Sequence, residues 1–189
     1  MRIAKVEEAK AILHGGSAAS FTQATARFRN MPELGAYLRR MATEWGNSLP
    51  IKELAMKIIR EAGAASRDEQ AQALAIGTWV QKHVYYVHEG KETFQQPPTT
   101  LKLRAGDCDD MTTLICAMLQ SVGIKWAMCL VRINRKWAHI FPVSFVRVPG
   151  EPGLHRLTLD ATLSDPVADM VNPLAKVEGR GFEIETLFV

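Results

Sequence analysis

At 189 residues the chain has the length of one domain and enough material to bury a real core. Hydrophobic residues make up 47% and charged residues 23%, the balance of a globular protein, and a net charge of +3 is too small to argue for a nucleic-acid partner. No apolar run reaches the roughly 18–20 residues a membrane span needs.

Glu7-Glu8 falls where a signal peptide carries its apolar segment, so a cytoplasmic location is expected. The three cysteines form no disulfide framework, and an odd count suits a reducing compartment. Residues 1–47 read as an N-terminal extension, partly helical. A helical stretch around residues 22–45 is interrupted by Pro32 and Gly35, which predicts two short helices. The main domain is expected over residues 48–189.

Ser48 is a candidate cap for a helix whose apolar face is Ile51, Leu54, Ala55, Ile58, Ile59 and Ala62, with Gly63 as its stop. Ser66-Arg67-Asp68-Glu69 has the spacing of a capping box and opens a second helix, running to about His83. Val84-Tyr85-Tyr86-Val87 is β-prone, and residues 88–105 read as a polar loop.

After Gly106-Asp107 a further helix begins at Cys108. Met111, Leu114, Ile115, Met118, Leu119 and Val122 give it an apolar stripe, and Gly123 ends it. Beyond Gly123 the period becomes strand-like, with strands expected over 125–133, 137–148 and 154–161. Asn134-Arg135-Lys136 makes the first turn, and residues 182–189 are a candidate last strand. Helices followed by an antiparallel sheet give an α+β class, with the Cys108 helix packed on the sheet.

A cysteine on the first turn of a helix meets the positive end of its dipole, where a thiolate is favoured. Cys108 shares the core-facing side with Met111 and Ile115, so its thiol is aimed at the strands that carry His139 and Asp160. An imidazole in reach takes the thiol proton, and a carboxylate holds the ring. The duller reading, an inert buried thiol, suits Cys116 and Cys129. Asp107, Asp109 and Asp110 read as capping residues that oppose thiolate formation by repulsion.

On simple alternation Trp137, Phe141 and Val143 share the His139 face. Pairing Val148 with Leu154 would put Asp160 on the wrong face, and a shift of one residue repairs this, with Pro142 as the candidate bulge. A zinc site built from Cys108, His139 and Asp160 is chemically acceptable, but the close ligand pairs of most zinc sites are missing.

Gly106-Asp107-Cys108-Asp109-Asp110, the apolar helix to Gly123, His139 in a strand and Asp160-Ala161-Thr162 together resemble the transglutaminase-like superfamily, in its small prokaryotic or phage-type members. Trp79-Val80, Tyr85-Tyr86-Val87 and Gln96-Pro97 fit the same pattern, and the resemblance spans about residues 51–163. It implies a papain-like α+β fold and a triad with Cys108 as nucleophile, His139 as general base and Asp160 orienting the imidazole.

The chemistry it implies is acyl transfer at amides through a thioester, as in a peptidase, an amidase or a cross-linking enzyme. A protein or peptide is the expected substrate, with no cofactor, metal or nucleic acid. Backbone N–H groups at the helix start are natural oxyanion donors, with Gln96, Gln95 or Trp137 as side-chain candidates. Ala161 and the mid-strand Pro142 depart from the family pattern. A scaffold that keeps the triad idle and binds a partner protein is the alternative.

Overall fold

Five α-helices precede Val122, and the alternation beyond Gly123 is realised as one antiparallel sheet, in a computed structural model that describes residues 28, 30–88, 93–167 and 184–189. Helix α1 (Met31–Gly46) opens at Asn30, whose Oδ1 accepts from the Glu33 N–H at 3.0 Å. Pro32 lies in the first turn, where a backbone N–H has no helical partner to lose, so it starts the helix instead of dividing it. Gly35 lies inside the same helix, packed against the Val189 methyls. The expected interruption at Pro32 and Gly35 is therefore absent, and residues 22–27 of the predicted stretch lie outside the described residues.

Helix α2 (Leu49–Glu61) buries Ile51, Ala55, Ile58 and Ile59 as its periodicity requires. Ser48 stands at its N-cap position but donates its hydroxyl to the Trp45 carbonyl at 2.6 Å, so it does not cap. Helix α3 (Glu69–His83) starts later than a Ser66 cap would have it. Asp68 is its N-cap and accepts from the Ala71 N–H at 2.9 Å, a carboxylate taking the position from the hydroxyl.

Strand β1 (Tyr85–Tyr86) pairs in parallel with β2 (Ala105–Gly106). Between them lies helix α4 (Pro97–Leu103), inside the segment read as loop. Its two prolines occupy the first turn, and it buries Thr100 and Leu103. Two turns are too few for an apolar period to register.

Helix α5 (Cys108–Ser121) is the centre of the fold. Every residue from Asp109 to Leu119 is buried, so its body is enclosed and not amphipathic. Leu114, Ile115, Met118 and Leu119 pack with α2 and α3, including Ile51, Ile58, Ile76 and Val80. On another side Cys116 packs among Leu38 and Met41 of α1 and the strand residues Met128, Leu130 and Ile140. At Gly46, where α1 ends, an added Cβ would lie 2.7 Å from the Ala117 carbonyl oxygen, so only glycine allows this crossing.

The sheet comprises β3 (Lys125–Ile133), β4 (Lys136–Val146), β5 (His155–Thr158) and β6 (Ile184–Phe188), in the spatial order β5-β4-β3-β6 with every pairing antiparallel. Asn134 and Arg135 both adopt left-handed φ, 50° and 62°, which closes β3 and β4 with a two-residue turn matched to strand twist. Among the described residues, no helix is long and apolar enough to cross a membrane.

Register decides where His139 and Asp160 face. Val143 pairs with Thr158 and Val146 with His155, one residue away from the Val148–Leu154 pairing, and this carries Asp160 to the His139 face. Pro142 is not the bulge. It pairs in register with Met128, and its carbonyl accepts from the Leu159 N–H at 3.0 Å, where β5 has just ended and a missing donor is tolerated. The irregularity lies at Ala138: Val131 faces His139 while Arg132 faces Trp137. That extra residue breaks the alternation. Trp137 turns to the α5 side with Ile140, and Phe141 and Val143 pack with Cys129 and Val131.

Candidate active site

The turn before α5 is held by its own carboxylates. Asp107 is the N-cap, its Oδ1 accepting from the Asp109 N–H at 3.2 Å. Asp110 closes the box through Oδ2, which accepts from the Asp107 N–H at 3.3 Å. Its Oδ1 accepts from the Gln95 N–H at 2.7 Å and so ties the segment before α4 to the head of α5. Gly106 must lack a side chain here, because a Cβ would lie 2.7 Å from the Asp110 Cβ. Phe94, the residue before Gln95, is anchored by its ring, whose centroid lies 5.4 Å from that of Phe28 and 5.8 Å from that of Tyr37.

These carboxyls are crowded. One ligand atom from each of Asp107, Asp109 and Asp110 lies within 4.8 Å of the others. Asp109 is buried with both oxygens unpartnered by hydrogen bonds from N–H or O–H donors. Burial, then the charges of Asp107 and Asp110, hold its carboxyl well above the usual carboxylate range. Burial and then Asp107 push Asp110 up to about 7.

Cys108, the first residue of α5, is partly buried and packs beside the cluster that contains Ile140. The early end of β5 explains how the helix reaches the strand. With no strand beyond Leu159 to bond the outer edge of β4, the Ile140 carbonyl accepts from the Thr112 hydroxyl at 3.3 Å, and the Ile140 backbone hydrogen-bonds the Cys108 sulfur. Of the two opposing expectations, a thiolate favoured by the helix start and one disfavoured by the flanking carboxylates, the second prevails. Burial pushes the Cys108 thiol up, and the charges of Asp107 and Asp109 push it further, while the Ile140 hydrogen bond works against them.

The structure brings His139 and Asp160 together. The His139 Nε2–H donates to Asp160 Oδ2 at 2.6 Å, from a side chain 22% exposed to one fully buried. Asp160 Oδ1 accepts from the N–H and the hydroxyl of Thr162, at 3.0 and 2.7 Å. Both carboxylate oxygens are thereby fixed, and the ring keeps Nδ1 free of Asp160. Thr162 is a role that residue type alone did not assign, although Asp160-Ala161-Thr162 was the signal for it.

The remaining candidates lie nearby in differing roles. Trp137 packs on the α5 side together with Cys108. Gln96 is partly exposed at the N-cap of α4 and makes no capping bond with its side chain. Gln95 is buried, with its Oε1 unpartnered. Cys116 and Cys129 are buried, and burial pushes both thiols up.

Tyr86, which the sequence placed in the family pattern without a role in the site, lies close to this turn. Its phenol is within electrostatic reach of Cys108, Asp107, Asp160 and Asp109.

No curated protein matches the chain. Among solved structures it is similar to a candidate cysteine protease from Cytophaga hutchinsonii, at 18% identity and a TM-score of 0.44, over 74% of this chain and 48% of that one. It is also similar to a candidate protease from Parabacteroides distasonis, at 14% identity and a TM-score of 0.46, over 77% of this chain and 34% of that one. The chain thus spans about half the length of the first and a third of the second. The family model of the transglutaminase-like superfamily matches residues 52–148, half of the chain, and that stretch holds both Cys108 and His139. With the helix-start cysteine set against the sheet that carries the histidine, the chain belongs to the transglutaminase-like superfamily.

Proposed function

We propose that this chain is a thiol-dependent acyl-transfer enzyme acting on amide bonds of a protein or peptide, with Cys108, His139 and Asp160 as its triad. The observation that carries this reading is the 2.6 Å bond from His139 Nε2 to a buried carboxylate that Thr162 holds from its other side. It fixes the ring and its tautomer, so Nδ1 is the atom available to a thiol at the head of α5.

The electrostatics of the turn shape the mechanism. Burial and the neighbouring carboxylates hold the Cys108 thiol up and work against a thiolate at rest. The proton therefore leaves as the bond forms. The sulfur adds to the amide carbon while its proton passes to His139 Nδ1, and Asp160 stabilises the imidazolium that results. Collapse of the adduct breaks the C–N bond, and His139 returns the proton to the departing amine. Water or a second amine then resolves the thioester, with His139 again as base.

The test uses an activated acyl donor, p-nitrophenyl acetate. The intact chain is expected to release a burst of p-nitrophenol and to carry one acetyl group on Cys108 by mass spectrometry. Cys108→Ala abolishes the acetylation, and His139→Ala slows it by on the order of 10²–10⁴-fold. Acetylation that neither substitution alters would contradict the reading.

A further inference from the structure

We propose that the Tyr86 hydroxyl is a catalytic hydrogen-bond donor to the acyl oxygen of the substrate, an inference that rests on Cys108 being the acyl-transfer nucleophile. Its placement is set by backbone pairing. Tyr86 stands opposite Gly106 in the β1–β2 ladder, two residues before Cys108. The ladder is closed by the Tyr85 N–H on the Arg104 carbonyl at 2.8 Å and the Val87 N–H on the Gly106 carbonyl at 3.0 Å. Gly106 is itself pinned against Asp110. A rigid segment therefore carries both the tyrosine and the turn that presents the nucleophile.

The two tyrosines of β1 diverge, as a strand requires: Tyr85 is 39% exposed, whereas Tyr86 is partly buried against the main core. Both tyrosines line a cavity of about 280 Å³ with Val84, Ala161 and Thr162, the last being the residue that holds Asp160. Tyr86 thus borders the Asp160 loop through this cavity and the turn before α5 through its pairing with Gly106. Cys108, Asp107, Asp160 and Asp109 all act on its phenol electrostatically.

The charge balance around this ring argues for its role. When the sulfur adds to the carbonyl carbon, the C=O electron pair becomes an oxyanion, and carboxylates nearby repel it. The site needs neutral donors that keep their protons. Burial, followed by the negative groups around it, pushes the Tyr86 phenol up to about 12, so it stays an O–H donor at any ordinary working pH. It would act with backbone N–H groups at the start of α5. The thiol proton is on His139 at that stage. When the adduct collapses, the C=O bond is restored and Tyr86 retains its own proton.

Tyr86→Phe removes the hydroxyl and keeps the ring. The variant is expected to lose about 10²-fold in kcat for an ester or anilide substrate, with KM and the rate of Cys108 alkylation by iodoacetamide unchanged. Turnover of an ester relative to its thionoester gives a second reading. Sulfur is the poorer acceptor, so the wild-type preference for the ester shrinks in Tyr86→Phe. An unchanged kcat, or an alkylation rate that falls as far as kcat, would overturn the proposal. Failure of the triad reading looks different, since acylation would then be indifferent to His139→Ala.

Discussion

Cys108 and Cys116 lie on one helix and differ in everything that decides reactivity. Cys116 is wholly buried in the body of α5, among Leu38, Met41, Met128 and Ile140, with the Arg39 charge acting on it. Cys108 is at the first turn, partly exposed, among Asp107, Asp109 and Asp160 and against the backbone of Ile140. Burial is the leading cause that raises both thiols. Position at a helix start therefore does not by itself make a thiolate here. What separates the two cysteines is position: Cys108 meets the backbone of Ile140, the residue after His139, whose ring is held by Asp160.

The body of the helix is where substitution costs most in stability. Leu114 is fully buried between α5 and its neighbouring helices. Leu114→Ala is expected to cost about 2–5 kcal/mol in denaturant unfolding. The folded variant should still label Cys108 ahead of Cys116, because the first turn is held by its own caps and by Gln95. Loss of that order would mean that the two regions are not separable.

A smaller effect distinguishes the regions by pH. The Asp109 and Asp110 carboxyls titrate higher in the folded chain than in the unfolded one, mainly through burial, so folding takes up protons. Their contribution to stability is present at low pH and is lost as pH rises from the ordinary carboxylate range through about 7. Thermal unfolding should show the midpoint of the wild type falling across that window, and Asp109→Asn should flatten the fall. A wild-type midpoint that rises across the window, with Asp109→Asn unchanged from it, would count against a turn of crowded, buried carboxyls.

Much of the architecture was legible because it is periodic and local. The α5 stripe, strand β3, the Asn134-Arg135 turn and the existence of a final strand follow from spacing and turn chemistry, whereas the place of that strand beside β3 does not. Features that depend on distant partners were not. Helix α4 is too short to show a period, and the bulge at Ala138 leaves no mark in a run that alternates well on paper. Pro32 was read as a break because its place in the first turn depends on Asn30 capping the helix just before it.

The site was legible as residue types in order, Cys108, His139 and Asp160. Its electrostatics were legible in part. Repulsion from Asp107 and Asp109 follows from their place beside Cys108, whereas the burial that leads the rise of the thiol is a property of the packed turn. Tyr86 was hidden for a similar reason. A two-residue parallel ladder brings it beside Gly106, and nothing in the intervening 19 residues announces that pairing.

The account turns on Cys108 depending on His139 for its reactivity. Iodoacetamide labelling of the intact chain, resolved for all three cysteines by mass spectrometry, measures this most directly when wild type and His139→Ala are compared near neutral pH. The prediction is that Cys108 reacts first by on the order of 10²-fold in the wild type and loses that lead in the variant. Equal, slow labelling of all three cysteines in the wild type, or a Cys108 lead that survives His139→Ala, would contradict it.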